Sequence, residues 1–273
     1  MRGNLKGLKT LLQNDAPKAE YVWCNSHRFN LVVNLVCSSS LELKRAIVIL
    51  VELHIFMTGY KRNAAFIEEQ RKGRQMSVKR VETTRFSSTK DAVTTALRTF
   101  TAVTSTPDKL STEQRMDNKT VTEATGLLKR NRDIKFVVSL HVLDKIFSIT
   151  SPVTIMLQGV AIDLASAAHL IEICKANISN PRKNVDSSWE ELWQLSVRFA
   201  EIHDIDSNKA HRKSKVPRNA DELCRDEAPD DIQKRLKAGV YIVALDALSN
   251  QMDDQFPESN LTLFRQMSVF TEK

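Results

Sequence analysis

Apolar residues in this chain recur every three or four positions far more often than every two, the period of helices rather than strands. Leu5, Leu8 and Leu12 have that spacing, and Asp15-Ala16-Pro17 ends the short helix they predict. Tyr21-Val22-Trp23-Cys24 breaks the period; β-branched and aromatic, it is the best strand candidate. Helical spacing then returns, with Phe29, Val32, Val33 and Val36 along one face. Further helices are predicted over 41–57 and, more polar, over 60–72. Ser88-Thr89-Lys90-Asp91 fits a capping box and opens a helix whose stripe is Ala92, Val93, Ala96, Leu97 and Phe100.

Residues 105–119 are polar around a single proline and predict a loop. The next helix, 134–149, turns Phe136, Val137, Leu140, Leu143, Ile146 and Phe147 inward. Ser151-Pro152 should break it, because proline disfavours helix in the residue before it. A long helix is expected over 153–176, its face made of Leu157, Val160, Ala161, Leu164, Ala168 and Ile171, with Asn180-Pro181 as its stop. A second capping box, Ser188-Trp189-Glu190-Glu191, opens a helix with Leu192, Leu195, Phe199 and Ile202. Residues 204–226 are polar and linker-like. The last helix runs from about Asp230 with Leu236, Val240, Val243, Ala247 and Met252 inward, and Pro257 stops it.

The fold class this predicts is mainly α, with one short strand near the N-terminus. That strand needs partners from elsewhere. With 42% hydrophobic residues in 273, the chain can bury a real core in one large or two modest domains, which excludes wholesale disorder. The most apolar run, 46–56, is interrupted by Glu52 and His54 and is too short for a bilayer, so it reads as a buried helix and no membrane is implied. Cys24, Cys37, Cys174 and Cys224 show no paired spacing, and no signal peptide precedes them; reduced thiols in nucleus or cytoplasm are expected.

Lys and Arg exceed Asp and Glu by 40 to 33, a surplus of +7. It is concentrated in Lys61-Arg62, Arg71-Lys72-Gly73-Arg74, Lys129-Arg130-Asn131-Arg132 and Arg212-Lys213-Ser214-Lys215. Such clusters neutralise phosphates or form a solvated face, and the last could also serve as a nuclear import signal. Cys24-x-x-His27 offers half of a zinc site. A closed site needs four ligands and His203 and His211 stand alone, so Cys24 reads as the end of a strand and His27 as a helix cap. Asp144, Asp163 and Asp246 read as solvated or ion-paired. Trp189 and Trp193, four apart on a helix, read as core. There is no G-x-S-x-G, no glycine-rich phosphate loop, and hence no cofactor, metal site or catalytic motif in these residues.

Several local patterns, in order along nearly the whole chain, resemble hAT-superfamily DNA transposases of the zinc-finger MYM-type and inhibitor-repressor-like subgroup. Met1-Arg2-Gly3-Asn4-Leu5-Lys6-Gly7 looks like the family's M-x-G-x-x-x-G. The 19–32 segment, AEYVWCNSHRFNLV, is similar to A-x-Y-V-H-C-x-x-H-x-L-N-L-V, and Thr84-Arg85-Phe86-Ser87-Ser88 to T-R-W-S-S. Leu157-Gln158-Gly159 with Asp163 to Ala168 resembles L-Q-x-x-x-x-D-I-x-x-A. Leu245-Asp246-Ala247 with Gln255-Phe256 resembles L-D-x-x-x-x-x-L-x-x-R-F.

The resemblance implies a ribonuclease-H-like core split by a helical insertion. Residues 1–24 would be a remnant of that core, 25–203 the insertion domain, 204–226 a linker and 227–273 a helix returning toward the core. The family's metal-binding Asp, Asp and Glu would fall before Met1 and beyond Lys273, so no strand-transfer activity is expected. Cys24, His27, Arg85 and Phe86 are the family-functional positions retained, with Phe86 replacing a base-stacking tryptophan. The expected role is residual DNA binding through Arg85, Phe86, Cys24, His27, Lys129, Arg130 and Arg132; the alternatives are a scaffold that meets a protein through its helical faces with no nucleic-acid role, or a non-functional truncated copy. The expected location is the nucleus, with the cytoplasm as the alternative.

Overall fold

The computed structural model describes residues 8–17, 24–70, 75–82, 86–113, 116–159, 163–207 and 231–268. Every regular element among them is helical. In chain order these are α1 (Leu8–Asp15), α2 (Asn25–Cys37), α3 (Leu41–Met57), α4 (Tyr60–Glu69), α5 (Phe86–Arg98), α6 (Phe100–Thr112), α7 (Asn118–Asn131) and α8 (Ile134–Leu157). They continue with α9 (Leu164–Lys183), α10 (Val185–Ile202), α11 (Ile232–Leu236), a π-helical turn (Lys237–Ile242), α12 (Val243–Gln255) and α13 (Glu258–Ser268). The predicted strand lies outside the described residues except for Cys24, which is the N-cap residue of α2.

Helix α8 is the axis of the molecule. Apolar residues occur all round it, and Val137, Val138, Leu140, Val142, Leu143 and Phe147 are fully buried, so its first half lies inside the bundle while its C-terminal half keeps an exposed face. Helices α2, α3, α5, α7, α9 and α10 all pack on it. On one side α3, α4, α6 and α7 form a group. On the other, α12 packs between α2 and α9, and α13 lies on α9. The two tryptophans stack in the core at 5.9 Å, and the π turn places Tyr241 5.6 Å from Trp189 with its hydroxyl on Ser188.

Three prolines lie inside helices: Pro152 and Pro181, expected to end theirs, and Pro107, within the predicted loop. Pro152 is on the exposed face of α8, where the carbonyl it leaves unpaired meets water, and the buried Ser151, Val153 and Thr154 keep the backbone helical. Pro181 likewise sits in the last turns of α9, where Asn177, whose carbonyl it frees, is exposed. Pro107 is buried in α6, which runs through much of the predicted loop. It cannot donate to the Val103 carbonyl; the side-chain amide of Asn131, fully buried at the end of α7, donates there instead at 3.3 Å.

Other boundaries differ because capping side chains differ from those expected. The long helix expected over 153–176 is two helices: α8 ends at Leu157, and Asp163 caps α9 by accepting from the Ser166 N–H at 2.8 Å. Helix α5 starts at Phe86, two residues before the proposed cap; Ser88 accepts from the Glu82 N–H and donates to the Glu82 carbonyl. Helix α10 starts at Val185, and Ser188 bonds Tyr241 rather than capping. Its other end closes in a Schellman turn: Asp204 takes φ 54°, and the Ile205 N–H donates to the Ala200 carbonyl at 2.9 Å. Most of the 204–226 linker lies outside the described residues. Helix α13, beyond Pro257, was not expected from the pattern; Leu261 and Phe264 bury it against α9.

Candidate functional site

The C-terminal turn of α7 carries Lys129 and Arg130, with Arg132 at its C-cap. Cations there face the negative end of the helix dipole, a sufficient local reason for their presence. Arg130 donates from Nε to the Gly126 carbonyl at 3.1 Å and forms an ion pair with Glu52 of α3. Arg132 pairs with Asp108 of α6 at 3.2 Å. Close by, Arg62 of α4 lies 4.8 Å over the Phe56 ring and pairs with Glu123 of α7 at 3.5 Å. Lys109 of α6 pairs with Glu68 of α4 at 3.0 Å. Each of these pairs ties two helices, and each sets a carboxylate beside the cation, so the corner alternates in sign.

The other retained positions are elsewhere. Cys24 and His27 are exposed on the first turn of α2. Phe86 begins α5, which packs on α2 as well as on α3, α6 and α8, the three helices that α7 also meets. Arg85 lies outside the described residues, as do residues 71–74 and 211–215. His27 does not cap α2, since it lies inside the helix. Among the described residues no three His, Cys, Asp or Glu side chains gather as metal ligands would. The three carboxylates considered above are apart and engaged. Asp163 caps α9, and the Ser166 N–H and hydroxyl hold its carboxyl below the usual range. Asp246 pairs with Arg182. Asp144 is pushed up by partial burial, against the pull of Lys90 and Arg98.

One buried polar pair went unnoticed in the sequence. His141 of α8 and Ser196 of α10 meet at 3.1 Å, with Phe199 edge-on to the imidazole at 5.1 Å. Ser196 donates its own proton to the Leu192 carbonyl at 2.8 Å, so His141 Nδ1–H donates to the serine oxygen. The serine is fully buried and its proton is not held by the imidazole, so the pair is not an activated nucleophile. Burial pulls His141 down to about 4 and pushes Cys37 and Cys174 up to about 12, leaving a neutral imidazole and two inert thiols.

Charge is distributed unevenly along the chain. Of the 40 Lys and Arg, 15 lie outside the described residues, against 7 of the 33 Asp and Glu. The described residues therefore carry 25 cations and 26 carboxylates and are close to neutral. Duplex binding draws on surplus cations, and the described residues have no net surplus of them.

Comparisons with models of known protein families, with curated proteins and with solved structures find no match.

Proposed function

We propose that this chain is a non-catalytic helical binding module, descended from the insertion domain of an hAT-type transposase, that acts as a scaffold for protein partners. The observation that carries the scaffold reading is the near-neutral charge of the described helices, together with the spending of Arg62, Arg130 and Arg132 on carboxylates of neighbouring helices. The descent rests on the motif resemblance at 19–32 and 84–88 and agrees with the all-helical architecture. The nucleus is the proposed location, from the basic run at 212–215 and the same resemblance.

A second reading has its own support. The surplus of eight positive charges outside the described residues, which include 71–74, Arg85 and 212–218, is of the sign that holds duplex DNA. A salt titration against random duplex DNA separates the two. The scaffold gives no binding at low salt. Binding that falls steeply with salt and is weakened by Arg85→Ala with Phe86→Ala establishes the DNA role instead.

A further inference from the structure

Helix α3 is apolar on two sides. Its inner side, with Leu43, Ala46, Leu50, Leu53 and Met57, is buried in the core. Its outer side carries Leu41, Val48 and Ile55, which are 60%, 52% and 61% exposed. Seven residues are two turns less about 20°, so these three side chains form one nearly straight row along the helix. A solvent-facing helix needs no such row, since any polar residue there would leave the core untouched.

We propose that the row is where a second copy of this chain docks, with α3 antiparallel to α3 and a two-fold axis at Val48. The row reads the same from both ends. Turning a copy about Val48 sets Val48 on Val48 and Leu41 opposite the copy's Ile55. The charges beside the row match under the same rotation. Arg45, three residues before Val48, and Glu52, four after it, lie on one flank, so Arg45 of each copy faces Glu52 of the other, twice over in an isologous interface. Within one copy Arg45 bonds Glu42 at 3.1 Å, a surface pair exchanged at little cost, while Glu52 keeps Arg130 on one carboxylate oxygen and offers the other to the copy's Arg45. On the same flank a groove of about 480 Å³ runs between α3 and the start of α8, with Ala46, Ile49 and Phe136 in its lining, and it gives room for the copy's Ile55. One helix face falls short of the roughly 800 Å² per partner of a standard interface, so the dimer is weak and depends on concentration.

The inference deepens the scaffold reading by naming one partner, and its test is independent of DNA. Sedimentation velocity of the full chain over a wide concentration range shows a shift from monomer to dimer. Val48→Asp weakens the association at least about tenfold with an unchanged helical circular-dichroism spectrum, since the site is open to solvent. Arg45→Glu alone weakens it, and Arg45→Glu with Glu52→Arg restores it. Val48→Cys gives a disulfide-linked dimer on mild oxidation. A wild type that stays monomeric throughout, or a dimer that Val48→Asp leaves intact, overturns the proposal. Neither result bears on the DNA titration, which tests the scaffold reading on its own.

Discussion

Of the described helices α3 and α8 are the most apolar, yet they end in different surroundings. Helix α8 is enclosed by its neighbours over its first half, Ile134 to Leu143, where a leucine such as Leu140 is fully buried, and only near its end do Ile155 and Met156 reach solvent. Helix α3 is enclosed on one side only, and Leu41, Val48 and Ile55 face solvent. Both helices have several neighbours, so the difference shows that apolar content fixes how much surface a helix would bury, while the placing of its neighbours around it fixes how much it does bury. What α8 buries inside the bundle, α3 leaves open to solvent along one row.

The largest effect that would break this comparison lies in α8. Leu140→Ala should lower the unfolding free energy by about 2–5 kcal/mol, from lost transfer energy plus an uncollapsed cavity, measured by urea denaturation. A cost below about 1 kcal/mol would mean α8 is not the enclosed helix described. Next comes acid. His141 is held near 4 when folded, against an ordinary 6.5 when unfolded, so between those values the unfolded chain binds the proton that the folded chain refuses. Stability is then full above pH 6.5 and falls as pH drops toward 4, by at most about 3 kcal/mol. His203, lowered by burial against the opposing charge of Asp204, adds in the same direction. His141→Gln should flatten the dependence of the urea midpoint on pH across that window; an unchanged slope contradicts the assignment.

A smaller effect is expected at the Pro107 carbonyl partner. Asn131→Ala leaves the buried Val103 carbonyl unpaired and should cost about 1–3 kcal/mol. The neighbouring Arg132→Ala removes an exposed pair and should cost less than about 1 kcal/mol. Equal costs would mean the amide contact carries nothing. The smallest effect belongs to the open face of α3: Val48→Ala should change monomer stability by no more than about 0.5 kcal/mol, in contrast to Leu140→Ala on α8.

Much of this fold was legible in the sequence. The periodicity of Phe29 to Val36 and of residues 41–57 gave α2 and α3, and the Phe136–Phe147 set gave the buried side of α8. Prolines misled, because proline reports a cost that packing can exceed. Pro107 survives through an amide 24 residues away in sequence, and no local window contains that compensation. Capping boxes misled for a related reason: Ser88 and Ser188 were drawn to Glu82 and Tyr241, one a loop backbone and the other a residue 53 positions on. The charge clusters were visible but their meaning was not. Arg130 sits beside Glu52, 78 positions earlier, and Arg132 beside Asp108, so the run looks positive in sequence and alternates in space.

The most direct test of the balanced-charge scaffold is a salt titration of duplex-DNA association with wild type beside the Arg130→Ala, Arg132→Ala double variant. The two curves should coincide, because both cations are spent on carboxylates of neighbouring helices. A variant that binds more weakly, with a log–log salt slope shallower by about two, would show that this corner grips phosphates and would contradict the account.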